Sequence, residues 1–517
     1  MASAVATPHL LASRAAARAF AAGGGAIDAA LAAAAMLTVV YPHQCALGGD
    51  LFAVVAMPDG RVLSVNGSGA APAHIDVAAI RSRFSEMPDF GTLPVTVPGL
   101  VAGWQSLHAL GAKLSVSALL SDAIQAATAG VPVSRSLEEG IRRREVVMRR
   151  DPGLSATFFA GGRPLAQGDT LRQKPLAVTL TKLADRGLHE FYSGPLASDL
   201  VDALRRMGSA MTLDDFAQHA TRVEPALSRQ LFGLEFHTSP PNSQGFVLLE
   251  ALAALQTFQI ALQPEIAGSN QLLRALLLSI EDRESYLGDP AQLAVSLDAL
   301  LDPARLRARL EQLQAPPFTR PREVPAHGDT VAVCALDRSG MAVSLIQSVF
   351  QLFGCGILDQ ATGVIFHNRG RGFSLRPGAP NELRPGTRPA HTLSPLIVRN
   401  QGRVRAVLGC MGGRAQPQIL AQLLPSVLDP DRSLAQTLRA PRWVVGSRDI
   451  DFPVPTIALE ADAPTMWSES LRAPGHDQQR IPAQSELVGH AHVIRVDPSG
   501  ALDAASDPRS DGEAIVC

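Results

Sequence analysis

Thr330 enters a run of alternating and β-branched residues directly after His327-Gly328-Asp329, where a glycine-bearing turn delivers the chain into a strand. If the Asp329–Thr330 bond is cut, Thr330 carries a free α-amine beside its own hydroxyl. An α-amine with a pKa of about 7.7 to 8 takes the hydroxyl proton near neutral pH, so one residue supplies both nucleophile and base. The stretch TVAVCALDRSGMAVSLIQSVF reads as a hairpin, and in one of its two plausible registers Ser348 lies directly across from Thr330, within hydrogen-bonding reach. Farther on, Gly412 and Gly413 precede a helix in GCMGGRAQPQIL and can aim backbone N–H groups at a developing oxyanion. Singly, each feature has an ordinary reading: a threonine opening a core strand, a glycine pair ending a loop.

The elements that must position these groups follow from periodicity. A helix is expected near residues 9 to 21, then a break at Gly23-Gly24-Gly25 and an alanine-rich helix to about Val40, whose small side chains pack closely on a sheet. LFAVVAMPDGRVLSVNG reads as two strands around a Pro-Asp-Gly turn. Helical periodicity dominates from Pro98 to about Leu310. After residue 329 strands return, and GFSLRPGAPNELRPGTRP, rich in proline and glycine, is a loop. Strands in SPLIV and VRAVLG and a helix at AQPQILAQLLPSVL follow, with no internal repeat. The order suggests an α+β sandwich of sheets with helices outside, which pattern alone does not distinguish from other α/β layouts.

Composition narrows the partners. Across 517 residues the formal net charge is -2, and no long basic run appears, which argues against nucleic acid or an anionic membrane and for a small-molecule partner. Five scattered cysteines, with no CxxC and no metal-ligand spacing, fit free thiols in a reducing compartment. The first residues lack the order of a secretory signal, so a cytoplasmic location is expected. The apolar run AIDAALAAAAMLTVVYP contains Asp28 and stops short of the roughly 20 residues a membrane span requires.

Read together, several blocks resemble the γ-glutamyltranspeptidase family along nearly the whole chain and in the family's order. GGGAIDAALAAAAMLTVVYP with ALGGDLF, then VTVPGLVAGW, EFYSGPLA, MTLDDF and SPPNSQGF, are similar to its large-subunit signatures. GDTVAVCALDRSGMAVSLIQSVFQLFGCGI resembles the start of the small subunit, and RPAHTLSP, LGCMGGRAQPQ and ASDPRSDGEAIV resemble its remaining blocks. The resemblance implies a four-layer αββα fold of the N-terminal nucleophile hydrolase type. It also implies self-cleavage between Asp329 and Thr330, leaving a large subunit 1–329 and a small subunit 330–517 entwined as a heterodimer that can associate further. Thr330 then attacks an amide carbonyl, Ser348 takes the place of the family's supporting threonine, and Gly412 and Gly413 hold the oxyanion. An acyl-enzyme forms and is released by water or an amine, with no metal or organic cofactor.

The chain departs from the family where γ-glutamyl enzymes grip the substrate's amino acid. Ser68 stands where an arginine is expected, His391 and Thr392 replace paired serines, Phe350 an asparagine, Arg369 a glutamine and Gly372 an acidic residue. Losing a buried bidentate arginine contact costs on the order of 2 to 4 kcal/mol, so a γ-glutamyl substrate is expected to be poor. Arg369, with Arg371 nearby and His391 as a second donor, suits a carboxylate that carries no amino group. Against this, Arg369 can equally serve in a structural ion pair and His391 in packing. The loop GAPNELRPGTRP is shorter than the family's lid, which opens the site. The Asn-Arg-Gly and His-Thr pattern resembles the amidohydrolase branch that includes oxamate amidohydrolase, making oxamate or a related carboxylated amide the expected substrate. A γ-glutamyl hydrolase or transferase acting on glutathione-like compounds, and an unprocessed pseudoenzyme with a binding role, are the alternatives. Residues 450–482 match no family block.

Overall fold

The computed structural model describes residues 2–293, 295–312, 329–447, 450 and 452–517. His327 and Gly328, the expected turn before the nucleophile, lie outside the described residues.

Two sheets organise a mixed helix-and-strand fold. The first runs Glu513–Val516, Ala4–Thr7, Asp329–Leu336, Ala342–Phe350, Asp50–Ala56, Val62–Gly67 and Arg222–Pro225. The second runs Leu502–Ser506, Ala491–Val496, Arg403–Cys410, Leu396–Asn400, Leu234–Thr238 and Leu227–Leu231. Their central strands are buried on both faces and carry near-continuous apolar runs, whereas the edge strands, such as Arg222–Pro225 and Leu227–Leu231, are part-exposed.

Alternation along the strands says which face meets what. Leu51, Ala53, Val55, Val331, Val333, Val343 and Leu345 share a core with the helices Leu10–Ala21, Ala26–Val40 and Leu100–Gly111. The opposite face of the same strands carries Phe52, Ala332 and Ile346, which cluster with Leu393, and Val54 and Cys334, which meet Ile397, Val407 and Ile494 of the second sheet. Contact there is close. A side-chain carbon added to Gly409 would lie 2.8 Å from the Cβ of Ala332, and Ser344 Oγ donates to Leu408 O at 2.6 Å. The far face of the second sheet packs on Gly245–Thr257, Asn270–Tyr286 and Gln416–Leu428.

The alanine-rich helix Ala26–Val40 is buried at every residue. Asp28 fixes its start by accepting the N–H of Gly25 at 2.7 Å, and it ties in a later loop through the N–H groups of Lys113 and Leu114. No helix among the described residues is long and apolar enough to cross a membrane. The unassigned stretch around 450–482 contributes to a small three-stranded sheet, Trp443–Gly446, Thr456–Glu460 and Asp477–Ile481, outside the two main ones.

Candidate active site

The hairpin places Thr330 at its open end. Asp329 pairs with Phe350 and Val331 with Gln347, so the ladder shifts register across Thr330. That irregularity turns the two hydroxyls toward each other: Thr330 Oγ1 donates to Ser348 Oγ at 3.3 Å. Ser348 in turn donates to the carbonyl oxygen of Asp329 at 2.6 Å and accepts the Phe350 N–H at 2.7 Å. Phe350 has φ +77°, a left-handed conformation that a bulky residue adopts only under constraint. The Leu352 N–H donates to Asp329 Oδ2 at 2.9 Å, fixing the residue on the other side of the expected cut. Thr330 and Ser348 are fully buried.

Thr330 and Ala332 share a face, as do Ser348 and Ile346, so both hydroxyls look into the space between the sheets. Across that space the strand Arg403–Cys410 ends two residues before Gly412. Gly412 has φ +139° and Gly413 φ +53°, and a side-chain carbon at Gly412 would fall 2.5 Å from Ile419. Only glycine suits that backbone. Neither N–H is engaged among the described residues, so both remain free to act as donors. The loop is fixed instead through its carbonyl. Gln244 Nε2 donates to Gly413 O and to Thr392 O, both at 2.9 Å, while its Oε1 accepts from Arg283 Nη1 at 3.0 Å. Arg283 also donates to Arg414 O, and Glu284 bridges Arg283 and Arg414.

Arg369 and His391 come together, and they converge on a residue that sequence reasoning passed over. Asp50 lies directly across from Ser348 in the sheet. Its Oδ2 accepts from His367 Nδ1 at 3.0 Å, His391 Nε2 at 3.0 Å and Arg369 Nε at 3.3 Å. Burial works to raise the Asp50 carboxyl, but the charge of His367 and hydrogen bonds from His367 and His391 outweigh it and hold it well below the usual range. Burial likewise lowers Arg369 to about 10, against the pull of Asp50. Arg369 stacks on Phe350 at 4.1 Å from the ring centroid and donates Nη1 to Thr392 Oγ1 at 3.4 Å. It therefore does form a buried ion pair, yet its Nη2 has no partner among the described residues. Arg371 points elsewhere, to Asp89 and Glu86. Ser68 bonds Asn66 and Asn242.

A cavity of about 340 Å³ is lined by Glu86, Arg283, Glu284, Arg371, Gly372, Phe373, Ala390 and Arg414 among others, and by none of Thr330, Ser348, Asp50, Arg369, His391, Gly412 or Gly413. Gly372, Ala390 and Arg414 each sit within a few residues of Arg369, His391 and Gly413. Asp50 had a readable signal, a charged residue opening the apolar strand in GGDLFAVVA. Gln244 lies in the family-like block SPPNSQGF, but its bonds to carbonyls far away in sequence could not be read from that block.

Comparison with known proteins identifies the family. Residues 12–517 match the family model described as Gamma-glutamyltranspeptidase. An oxamate amidohydrolase proenzyme from Klebsiella pneumoniae is 35% identical over 98% of this chain and 97% of its own. A glutathione hydrolase-like proenzyme of Bacillus subtilis is 33% identical over 99% and 98%. The crystal structure of a cephalosporin acylase from Bacillus halodurans superposes with a TM-score of 0.88 at 29% identity, covering 99% of this chain and 95% of that one. With the match spanning almost the entire chain, this protein belongs to the γ-glutamyltranspeptidase family and is an enzyme of its hydrolase and acyl-transferase kind.

Proposed function

We propose that the chain cuts itself before Thr330 and then works as an amidohydrolase on a small carboxylated amide, with oxamate as the leading candidate. The observation that carries the reading is the hydroxyl relay from Thr330 through Ser348 to the Asp329 carbonyl. In the uncut chain Ser348 polarises that carbonyl while Thr330 Oγ1 sits next to it. Attack forms an Oγ1–C bond and breaks the C–N bond between Asp329 and Thr330, and the hydroxyl proton passes to the freed α-amine. Water then hydrolyses the ester, giving a carboxylate on Asp329, restoring the Thr330 hydroxyl and leaving fragments 1–329 and 330–517.

In the mature enzyme the α-amine takes the Thr330 hydroxyl proton as Oγ1 attacks the substrate amide, and the proton passes to the leaving amine. The Gly412 and Gly413 N–H groups stabilise the oxyanion. Water attacks the acyl-threonine and regenerates Thr330. Arg369 Nη2, held beside the acyl site by Asp50, Thr392 and Phe350, is the donor offered to the substrate carboxylate. The two stacked sheets with helices outside fit a four-layer αββα arrangement shared by both fragments. Ser68, His391, Thr392 and Gly372 leave no arginine or acidic grip for a γ-glutamyl group, which favours the amidohydrolase over the glutathione-type relatives.

Ammonia release from oxamate by the purified protein tests the reading. Turnover by the wild type and none by Thr330→Ala is expected; equal release from both removes it.

A further inference from the structure

The hydrogen bonds around Asp50 fix which nitrogen of His391 carries a proton. An ionised carboxylate only accepts, so the 3.0 Å contact to Asp50 Oδ2 requires a hydrogen on Nε2. His391 is neutral near physiological pH, because burial and then the Arg369 charge press its pKa down to about 3. A neutral imidazole with its proton on Nε2 presents a bare lone pair at Nδ1. That nitrogen is fully buried and meets no donor among the described residues.

The His391 backbone is fixed on both sides: its N–H donates to Asn242 O at 2.7 Å, and its carbonyl accepts the Gln244 N–H at 2.9 Å. The ring packs on Phe52, tilted by 50° with 4.6 Å between centroids, and Phe52 clusters with Ala332, two residues past Thr330. His391 thus sits in the inter-sheet space above the row Asp50, Ser348, Thr330. Arg369 Nη2, an unpartnered donor on the same Asp50 hub, is its neighbour.

We propose that Asp50 is a positioning residue that locks His391 as an acceptor, so that the acyl site pairs one donor, Arg369, with one acceptor, His391 Nδ1, and selects short carboxylates bearing an amide N–H. The proposal rests on the Thr330 reading above and changes what His391 does there. It does not donate to the carboxylate. It accepts from the amide nitrogen, and a substrate without an N–H leaves a buried lone pair unsatisfied.

Two measurements on the mature enzyme test this. The first is a nitrogen-15 spectrum of histidine-labelled protein. A protonated Nε2 and unprotonated Nδ1 for His391 is expected, and a proton on Nδ1 overturns the proposal. The second compares oxamate with pyruvate, which has a methyl group where oxamate has its amide nitrogen. In His391→Leu the KM for oxamate should rise at least about 10-fold, while the inhibition constant of pyruvate against oxamate turnover changes less than about 2-fold. His391→Asn, which restores an acceptor near the Nδ1 position, should recover part of the loss. Equal shifts for both compounds, or no recovery in His391→Asn, overturn the selection. If wild-type enzyme does not turn over oxamate, the substrate assignment falls while the nitrogen spectrum still decides the Asp50–His391 lock.

Discussion

Ser348 Oγ lies 2.6 Å from the carbonyl oxygen of Asp329 and donates to it, so the residue expected to orient the nucleophile also polarises the bond to be cut. Processing and turnover, as proposed, both depend on that hydroxyl.

Removing it should slow both without abolishing either. Ser348→Ala loses one hydrogen bond to a reacting group, worth about 1 to 3 kcal/mol, or roughly 10- to 100-fold in rate. Thr330→Ala should stay uncut and inactive. Denaturing gels over time, with sequencing of the smaller fragment's first residue, check this. Wild-type protein that stays a single full-length band contradicts it.

Gly412→Ala places a methyl group against Ile419 in a backbone conformation that alanine avoids. The loop must move, and its N–H groups leave the oxyanion. A loss of about 100-fold in kcat is expected, with KM little changed. An unaltered kcat removes Gly412 from the oxyanion role.

Gln244→Leu deletes the amide that ties Gly413 O and Thr392 O together. Two buried carbonyls lose a donor at once. A fall of about 10-fold in kcat and a lowered melting temperature are expected from steady-state kinetics and thermal unfolding. Gln244 and Gly413 fall on opposite sides of the proposed cut, so the variant also tests whether the proposed large fragment shapes the proposed oxyanion loop of the small one.

Stability should fall in mild acid. Burial is the main cause that lowers His43, His219 and His391 to about 3, and His9 and His490 to about 4, whereas unfolded histidine titrates near 6.5. The unfolded chain therefore binds more protons between about pH 6.5 and 3 to 4. The stability these rings contribute is complete above 6.5 and is lost as pH drops through that window. Three carboxyls oppose the trend: burial raises Glu486 to about 7 and also raises Glu250 and Asp151. The five histidines outnumber them, which leaves a net loss. Thermal melts at pH 7.5 and 5 should differ by about 5 °C or more; a higher melting point at pH 5 contradicts the assignment.

Much of the site was legible from local pattern. The hairpin, the glycine pair before a helix and the alanine-rich helix all follow from periodicity and turn chemistry, which act within a few residues. The register at Thr330 did not, because a ladder shift between Asp329 and Val331 depends on what Ser348 and Phe350 bond, not on strand propensity. The convergence of Arg369 and His391 on Asp50 was also out of reach. It joins residues more than 300 positions apart, and nothing in the text of Arg369 distinguishes a ligand from an ion pair until its partner is seen. The small sheet formed around residues 443–481 lacked a signature for the same reason, since its middle and last strands pair in parallel across a helix.

In the first sheet, Ala4–Thr7 and Asp50–Ala56 flank the hairpin that begins with the nucleophile, and Glu513–Val516 closes the edge on Ala4–Thr7. If the backbone is severed before Thr330 as proposed, the hairpin and the strands Ala4–Thr7 and Asp50–Ala56 that pair with it belong to separate chains. Unfolding then becomes a dissociation, and regaining the native state becomes a meeting of two molecules, governed by protein concentration instead of loop length. Maturation is thus a one-way ratchet: the chain assembles as one piece, and a denatured mature enzyme has forfeited the tether that made its assembly easy.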